Sequence, residues 1–280
     1  MVSSAEFHLK NREVINLNFE QMTIKPIKKF TKEFDNIEKI DNGIIDNLKK
    51  DNRKGVNKIA ERILKKKKRK EEKVKKWHAQ NEHIYNLEEQ GYKLIAGIDE
   101  AGRGPLAGPV VSSAVILDSS HPILGLTDSK KLSLQERERL FDIILDEAVA
   151  VGLGIVSNTI IDRLNIHQAT FLAMKRAVDD LESNPEYLLV DGSYTIPDLN
   201  IEQKAIVSGD LKVNSISAAS IIAKVTRDRI MDELHHSYPD YNFLSNKGYG
   251  TKEHIDAIKD CGPCPYHRFS YKVVNENKAE

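Results

Sequence analysis

Cysteine is nearly absent from this chain: two residues in 280, Cys261 and Cys264. That is too few for a disulfide framework. Long hydrophobic runs are absent too, and none reaches the roughly 18 residues that a membrane span requires. The polar N-terminus lacks the apolar region of a secretory signal. Neither sign of charge is in excess, since 42 Lys and Arg balance 42 Asp and Glu. These absences exclude a disulfide-stapled secreted module and a membrane-spanning protein, and they lead to the expectation of a cytoplasmic one. What is present, 40% hydrophobic and 30% charged residues over 280 positions, fits a folded protein with a substantial core, arranged as one large domain or two small ones.

The balanced total hides an uneven distribution. Between Arg53 and Lys76 there are thirteen Lys or Arg residues against Glu61, Glu71 and Glu72, a local charge of +10. With no proline, and a single glycine near its start, the segment predicts a long solvated helix. Such a helix either gathers nucleic-acid phosphates by counterion release or simply keeps its surface hydrated. Trp77 and Tyr85, near its end, are expected to pack it onto the next domain or a partner. Upstream, Met22 is a second candidate start, with Ile24, Ile27 and Phe30 at helical spacing and residues 1–21 an unplaced leader. The composition divides the chain into that leader, a basic helical extension over 22–90, a domain over 91–272 and a tail over 273–280.

The domain is organised around residues 94–105. An apolar strand, Leu94-Ile95-Ala96-Gly97-Ile98, runs into Asp99-Glu100 and then Gly102-Arg103-Gly104-Pro105. Carboxylates beside a buried strand are costly without a cationic recipient. A divalent cation such as Mg²⁺, which prefers hard oxygen ligands, would serve. The glycines permit close backbone approach, and Arg103 offers a fork of donors suited to phosphate. For Asp99-Glu100 alone, an acidic turn explains the residues as well. A second apolar strand, Tyr187-Leu188-Leu189-Val190, ends in Asp191-Gly192, where a turn-forming aspartate is again the plain alternative. A short strand over 204–207 leads to Gly209-Asp210. Carboxyl ends of such strands are where α/β sheets place ligands. Four acids at one place would repel one another unless metal held them. Two ions about 4 Å apart suit phosphodiester hydrolysis, and Arg103, Lys130, Lys131, Lys224 and Lys247 would hold the polyanion.

The first strand is predicted over 93–99, and further strands over 109–117 and 151–158. Helices are predicted from the Ser133/Glu136 capping box, from an Asn165 cap, from Asn214 or Ser215 through a run of small residues to about His236, and from Thr251 to Lys259. Asp228, between Arg227 and Arg229, reads as a surface ion pair. Cys261, Cys264 and His267 mimic a zinc knuckle without a fourth ligand.

In order along the chain, the motifs Asp99-Glu100-Ala101-Gly102-Arg103-Gly104-Pro105, Thr127-Asp128-Ser129-Lys130-Lys131, Val190-Asp191-Gly192 and Gly209-Asp210 resemble those of bacterial ribonuclease HII. So do Ser217-Ala218-Ala219-Ser220 through Asp228, Asn246-Lys247-Gly248-Tyr249-Gly250-Thr251, and Gly262-Pro263 with His267-Arg268. The resemblance spans about residues 91–272. It implies an α/β ribonuclease H-like fold, a mixed five-stranded sheet flanked by helices, its first three strands antiparallel. It also implies a monomeric endonuclease for RNA–DNA hybrids and for ribonucleotides embedded in duplex DNA, active in ribonucleotide excision repair. Cleavage would fall on the 5′ side of the ribonucleotide, giving 3′-hydroxyl and 5′-phosphate ends with Mn²⁺ or Mg²⁺ as cofactor. By motif match, Asp99, Glu100, Asp191 and Asp210 are the catalytic metal ligands. Gly102, Arg103 and Gly104 sense the 2′-hydroxyl that separates RNA from DNA. Ser129 and Lys130 bind substrate, and Tyr249 packs against the adjacent deoxyribose. Two alternatives remain at this point: a ribonuclease HIII-like enzyme, to which the intact Gly-Arg-Gly loop and helical N-terminus are ill matched, and a catalytically silent nucleic-acid binder, which has no need of the four acids.

Overall fold

The computed structural model describes residues 22–25, 27, 28, 40 and 42–277. The expectations for residues 1–21 and for Phe30 therefore lie outside the described residues. The chain forms two compact units that divide between Lys73 and Val74. That point precedes the change of composition near residue 90, because Trp77 and the helix Glu82–Glu89 contribute to the core of the second unit.

In the first unit, helix α1 (Asn42–Lys50) buries Ile44, Ile45 and Leu48. They meet Val56, Ile59, Ala60 and Ile63 from the start of α2 (Lys54–Gln80), together with Ile27 and Ile40. The 56, 59, 60, 63 spacing is one face of a helix. From residue 64 to residue 76 no side chain is fully buried, and only residues 64, 67, 70 and 74, on one stripe, are half-buried, so the lysine-rich stretch is a largely solvated helix, as its composition predicts.

The second unit is built on a five-stranded sheet. Its strands are β1 (Ile95–Ala101), β2 (Val110–Ile116), β3 (Ala150–Val156), β4 (Tyr187–Asp191) and β5 (Glu202–Ile206), in the order β3-β2-β1-β4-β5. β1–β2 and β2–β3 are antiparallel, whereas β1–β4 and β4–β5 are parallel. Every side chain of β2 is buried, as expected for a strand covered on both faces. Alternation along the strands sorts the core into two layers. Ala96, Ile98, Ala114, Ile116, Leu188 and Val190 pack with Met174, Ala177 and Val178 of helix α6 (Ile166–Asp179). On the other face, Val115 packs with Leu140 and Ile144 of α4 (Leu134–Glu147) and with Ile221, Ile222 and Val225 of α7 (Asn214–Ser237).

Helix α3 (Glu82–Glu89) adds Ile84 and Leu87 beside Leu189 and Ile216. Small residues let α7 lie close on the sheet. A Cβ at Gly97 would stand 2.3 Å from the Ile216 amide nitrogen, so the β1–α7 contact has no room for a side chain. The predicted caps form: Ser133 Oγ accepts from the Glu136 amide, Asn165 from His167 and Gln168, and Thr251 from His254. The short helix α5 (Asn158–Leu164) falls where the sequence predicts the end of a strand. Helices α8 (Phe243–Asn246), α9 (Lys252–Cys261) and α10 (Lys272–Asn275) enclose a separate cluster with Leu106, Met231 and Cys264. No described helix is long and apolar enough to cross a membrane.

Candidate active site

The three parallel strands bring the acids together. Ile98 is registered with Val190, so Asp99, near the end of β1, is level with Asp191 at the end of β4. Asp191 is in turn registered with Ile206, the last residue of β5. Asp210 follows on the short 3₁₀ turn Gly209–Leu211. That turn is pinned to β4, because the Gly209 amide donates to Asp191 Oδ1 at 2.6 Å. Glu100 lies within β1, paired with Ser112, and not in the following loop as the sequence suggests. Strand alternation turns Asp99 toward α7 and Glu100 toward α6. Glu100 accordingly shares a small cavity of about 70 Å³ with Asp191, Arg103, His167, Phe171 and Tyr194.

Burial pushes the Asp99 carboxyl well above its ordinary range, and the Glu100 and Asp191 charges push it further. Glu100 is raised by burial against the opposing pull of Arg103, with Asp191 again raising it. Asp210 is raised by burial, then by Asp191 and Asp128. Asp191 is thus the common neighbour of the other three. The compensation is thin: Arg103 Nη1 reaches Glu100 Oε1 at 3.3 Å from a side chain that is 53% exposed. Lys130 pulls down the carboxyls of Glu100 and Asp210, and Lys131 that of Asp210.

Among the described residues no three His, Cys, Asp or Glu side chains are already closed into a metal's ligand sphere. In kind, however, the four carboxylates fit a hard divalent cation. They are oxygen donors from adjacent strand ends, partly or wholly desolvated, and they carry more negative charge than their neighbours offset.

The residues expected to hold substrate separate into two groups. Arg103, Lys130 and Lys131 surround the acids. Lys224 is instead ion-paired to Asp228 at 2.6 Å, and Lys247 to Asp232. The Ser129 side chain is buried, its Oγ 3.0 Å from that of Ser220. Ser220 in turn hydrogen-bonds Asp99, so the Ser129 hydroxyl is joined to an acid through Ser220. Asp228 is corrected: it is buried, held by Lys224 and by Arg137 at 3.2 Å, and Arg227 does not pair with it.

Two arginines carry what composition did not reveal. Arg227 and Arg268 are both fully buried and donate almost wholly to backbone carbonyls. Arg227 bonds Ala107, Pro109 and Lys247. Arg268 bonds Gly102, Arg103, Gly108 and Pro109. Burial lowers the Arg227 guanidinium to about 10. Together they shape the 102–109 loop from inside. A Cβ on Gly104 would be 3.7 Å from the Tyr249 ring, so loop and ring are neighbours, and Tyr249 is 40% exposed.

Solved structures share this architecture. Ribonuclease H2 from Pyrococcus horikoshii OT3 superposes with a TM-score of 0.58 at 27% identity, over 66% of this chain and 97% of that one. The ribonuclease HII of an Archaeoglobus fulgidus complex with PCNA gives 0.56 at 28%, over 64% and 96%. Bst-RNase HIII in complex with Mn²⁺ gives 0.54 at 19%, a likeness of fold. The sheet order and the acids at its strand ends therefore define a ribonuclease H-type hydrolase. The family model described as ribonuclease HII matches residues 96–274, and the ribonuclease HII N-terminal domain model matches 8–86. Ribonucleases HII of Syntrophus aciditrophicus and Bacillus subtilis are 57% and 46% identical, over 66% and 90% of this chain and 87% and 97% of theirs. The chain belongs to the ribonuclease HII family, type II ribonucleases H that cut RNA within RNA–DNA hybrids.

Proposed function

We propose that this enzyme cuts on the 5′ side of ribonucleotides embedded in duplex DNA as well as within RNA–DNA hybrids. It leaves 3′-hydroxyl and 5′-phosphate ends and acts as a cytoplasmic monomer in ribonucleotide repair. Asp99, Glu100, Asp191 and Asp210 hold two divalent ions, Mn²⁺ or Mg²⁺. The observation that carries the reading is the meeting of these four acids at three adjacent strand ends, with raised proton affinity on three of them. When bound, the ions supply activation of water and stabilisation of the leaving oxygen.

The chain's own residues do the rest. Arg103, tethered to Glu100, and the exposed Lys130 receive the phosphodiester. The backbone of Gly102 to Gly104, fixed by Arg268, meets the 2′-hydroxyl, and Tyr249 excludes one from the next sugar. A duplex carrying one ribonucleotide should be nicked once with Mg²⁺ or Mn²⁺ and left intact in EDTA. Cutting that survives EDTA would overturn the metal assignment.

The wet stretch of α2 serves in this reading as a nucleic-acid arm. Lys65, Lys66, Lys68 and Arg69 are exposed, whereas Lys67 is engaged with the Ile40 carbonyl at 2.5 Å. Changing the four exposed residues to glutamine should weaken duplex binding. It should also flatten the dependence of log Kd on log salt by roughly one for each phosphate that the arm no longer neutralises, as measured by anisotropy between 50 and 200 mM salt. An unchanged slope would leave the stretch as a solvated helix only.

A further inference from the structure

Two buried histidines lie behind Tyr249, and their hydrogen bonds settle both tautomers. The Cys264 amide can only donate, and it lies 2.9 Å from His267 Nδ1, so that nitrogen is bare. The Cys264 carbonyl, at 3.3 Å from the same nitrogen, is the poorer partner, and the Cys264 thiol, at 3.2 Å, can donate to it as well. The proton of His267 is therefore on Nε2, which faces His254 Nε2 at 3.0 Å. His254 accepts there and carries its own proton on Nδ1, 2.9 Å from the Tyr249 carbonyl. That carbonyl can only accept, so the assignment reached from the far end agrees. Both rings are fully buried, walled by Tyr241 and Phe243. Burial holds the His267 imidazole down at about 4 and lowers that of His254. A neutral pair fits, since an extra proton would set N–H against N–H.

The residue after His267 is Arg268, whose guanidinium holds the carbonyls of Gly102 and Arg103. One short turn thus reaches both elements that meet the sugars. We propose that the Cys264–Arg268 turn is a positioning element that sets the spacing between the Gly102–Gly104 loop and Tyr249, with His267 acting on Tyr249 through His254. This rests on the reading of Tyr249 and the loop as the sugar-recognising pair. His254 and His267 are positioning residues and touch no reacting atom.

The test compares two amides of different reach. His254→Asn places an N–H near the Nδ1 position and keeps the bond to Tyr249. His254→Gln keeps the link to His267 and loses Tyr249. The readout is the preference, as a ratio of kcat/KM, for a duplex with one embedded ribonucleotide over a uniform RNA–DNA hybrid. His254→Asn cuts the link to His267 and His254→Gln cuts the link to Tyr249, so each should lose about tenfold or more if the relay runs through both bonds. In a Tyr249→Ala background neither change should have a further effect. A well-folded His254→Asn or His254→Gln enzyme with parental preference, beside a Tyr249→Ala enzyme that has lost it, overturns the proposal. A Tyr249→Ala enzyme that keeps the preference instead sinks the sugar-recognition reading, and this proposal with it. Long-range ¹H–¹⁵N spectra of the unmodified protein test the relay without activity. Bare Nδ1 on His267 and protonated Nδ1 on His254 are required, and any other pattern refutes it.

Discussion

Asp99→Asn is expected to lower turnover by about 10³-fold or more, and in the same protein to raise the melting temperature of the metal-free form at neutral pH. The catalytic loss follows from removing a charged oxygen donor at the centre of the proposed cation site, and 10³-fold corresponds to about 4 kcal/mol of barrier. The gain in stability follows from the sign of the pKa shift. Asp99 is buried beside Glu100 and Asp191, and its carboxyl proton is held in the folded chain far above the ordinary 3.8. Without metal, the stability this group contributes is complete below pH 3.8 and is lost as pH climbs toward the raised folded value. Asparagine has nothing to ionise, and its carbonyl can still accept from the Glu100 amide that bonds Asp99 Oδ1 at 2.7 Å. Melts in EDTA across pH 4 to 8 should show the parent losing stability that the variant keeps, with a gain of about 2–4 °C near neutrality. Duplex binding without metal should be largely unchanged. A variant that turns over at the parental rate, or that melts lower than the parent at neutral pH, contradicts the assignment of Asp99 as a functional and destabilising residue.

The second large effect is expected at a residue that touches no substrate. Arg227→Met keeps an unbranched apolar stem, shorter than arginine, and removes the bonds to Ala107, Pro109 and Lys247. Pro109 retains Arg268 as a donor at 3.2 Å, whereas Ala107 and Lys247 lose their guanidinium donor. Each buried acceptor left without a donor costs about 1–3 kcal/mol, so a total near 3 kcal/mol is expected, measured by urea unfolding. Arg227→Lys should recover only part of it, because one ammonium cannot span three carbonyls. The loop and the turn bearing Tyr249 would both loosen, and cleavage should fall with the stability. A Met variant within about 0.5 kcal/mol of the parent would show that the carbonyls find other partners and that Arg227 is filler.

Asp99, Glu100 and Asp191 were legible because an apolar run leads into each, a pattern that local sequence carries openly, whereas Asp210 follows the mixed strand Glu202–Ile206. Register supplied the rest: the level placing of Asp99 and Asp191 depends on β1 and β4 being parallel neighbours, which no local pattern states. The buried arginines were hidden because charge is ordinarily a surface signal. A trace was present, since Ile216, Ser220, Ala223, Arg227 and Met231 follow one helical stripe, and all are buried. An arginine on the apolar stripe of a helix full of small residues was the clue. The inward turn of the Ser129 hydroxyl to Ser220 was hidden for the converse reason, because a polar loop does not reveal it. The helix α5 was missed because seven residues hold too few turns to establish a period.

Gly102 shows how the interior can dictate an outward-facing motif. Its φ is +99°, and a methyl group there would fall 2.3 Å from Arg227 Nε. The absence of a side chain is thus demanded from beneath, by the guanidinium supporting the loop, before any incoming nucleotide is considered. A Gly102→Ala change cannot be accommodated by enlarging the groove above it, nor by replacing residue 227 alone, because the same methyl group would meet the Pro109 carbonyl oxygen at 2.7 Å.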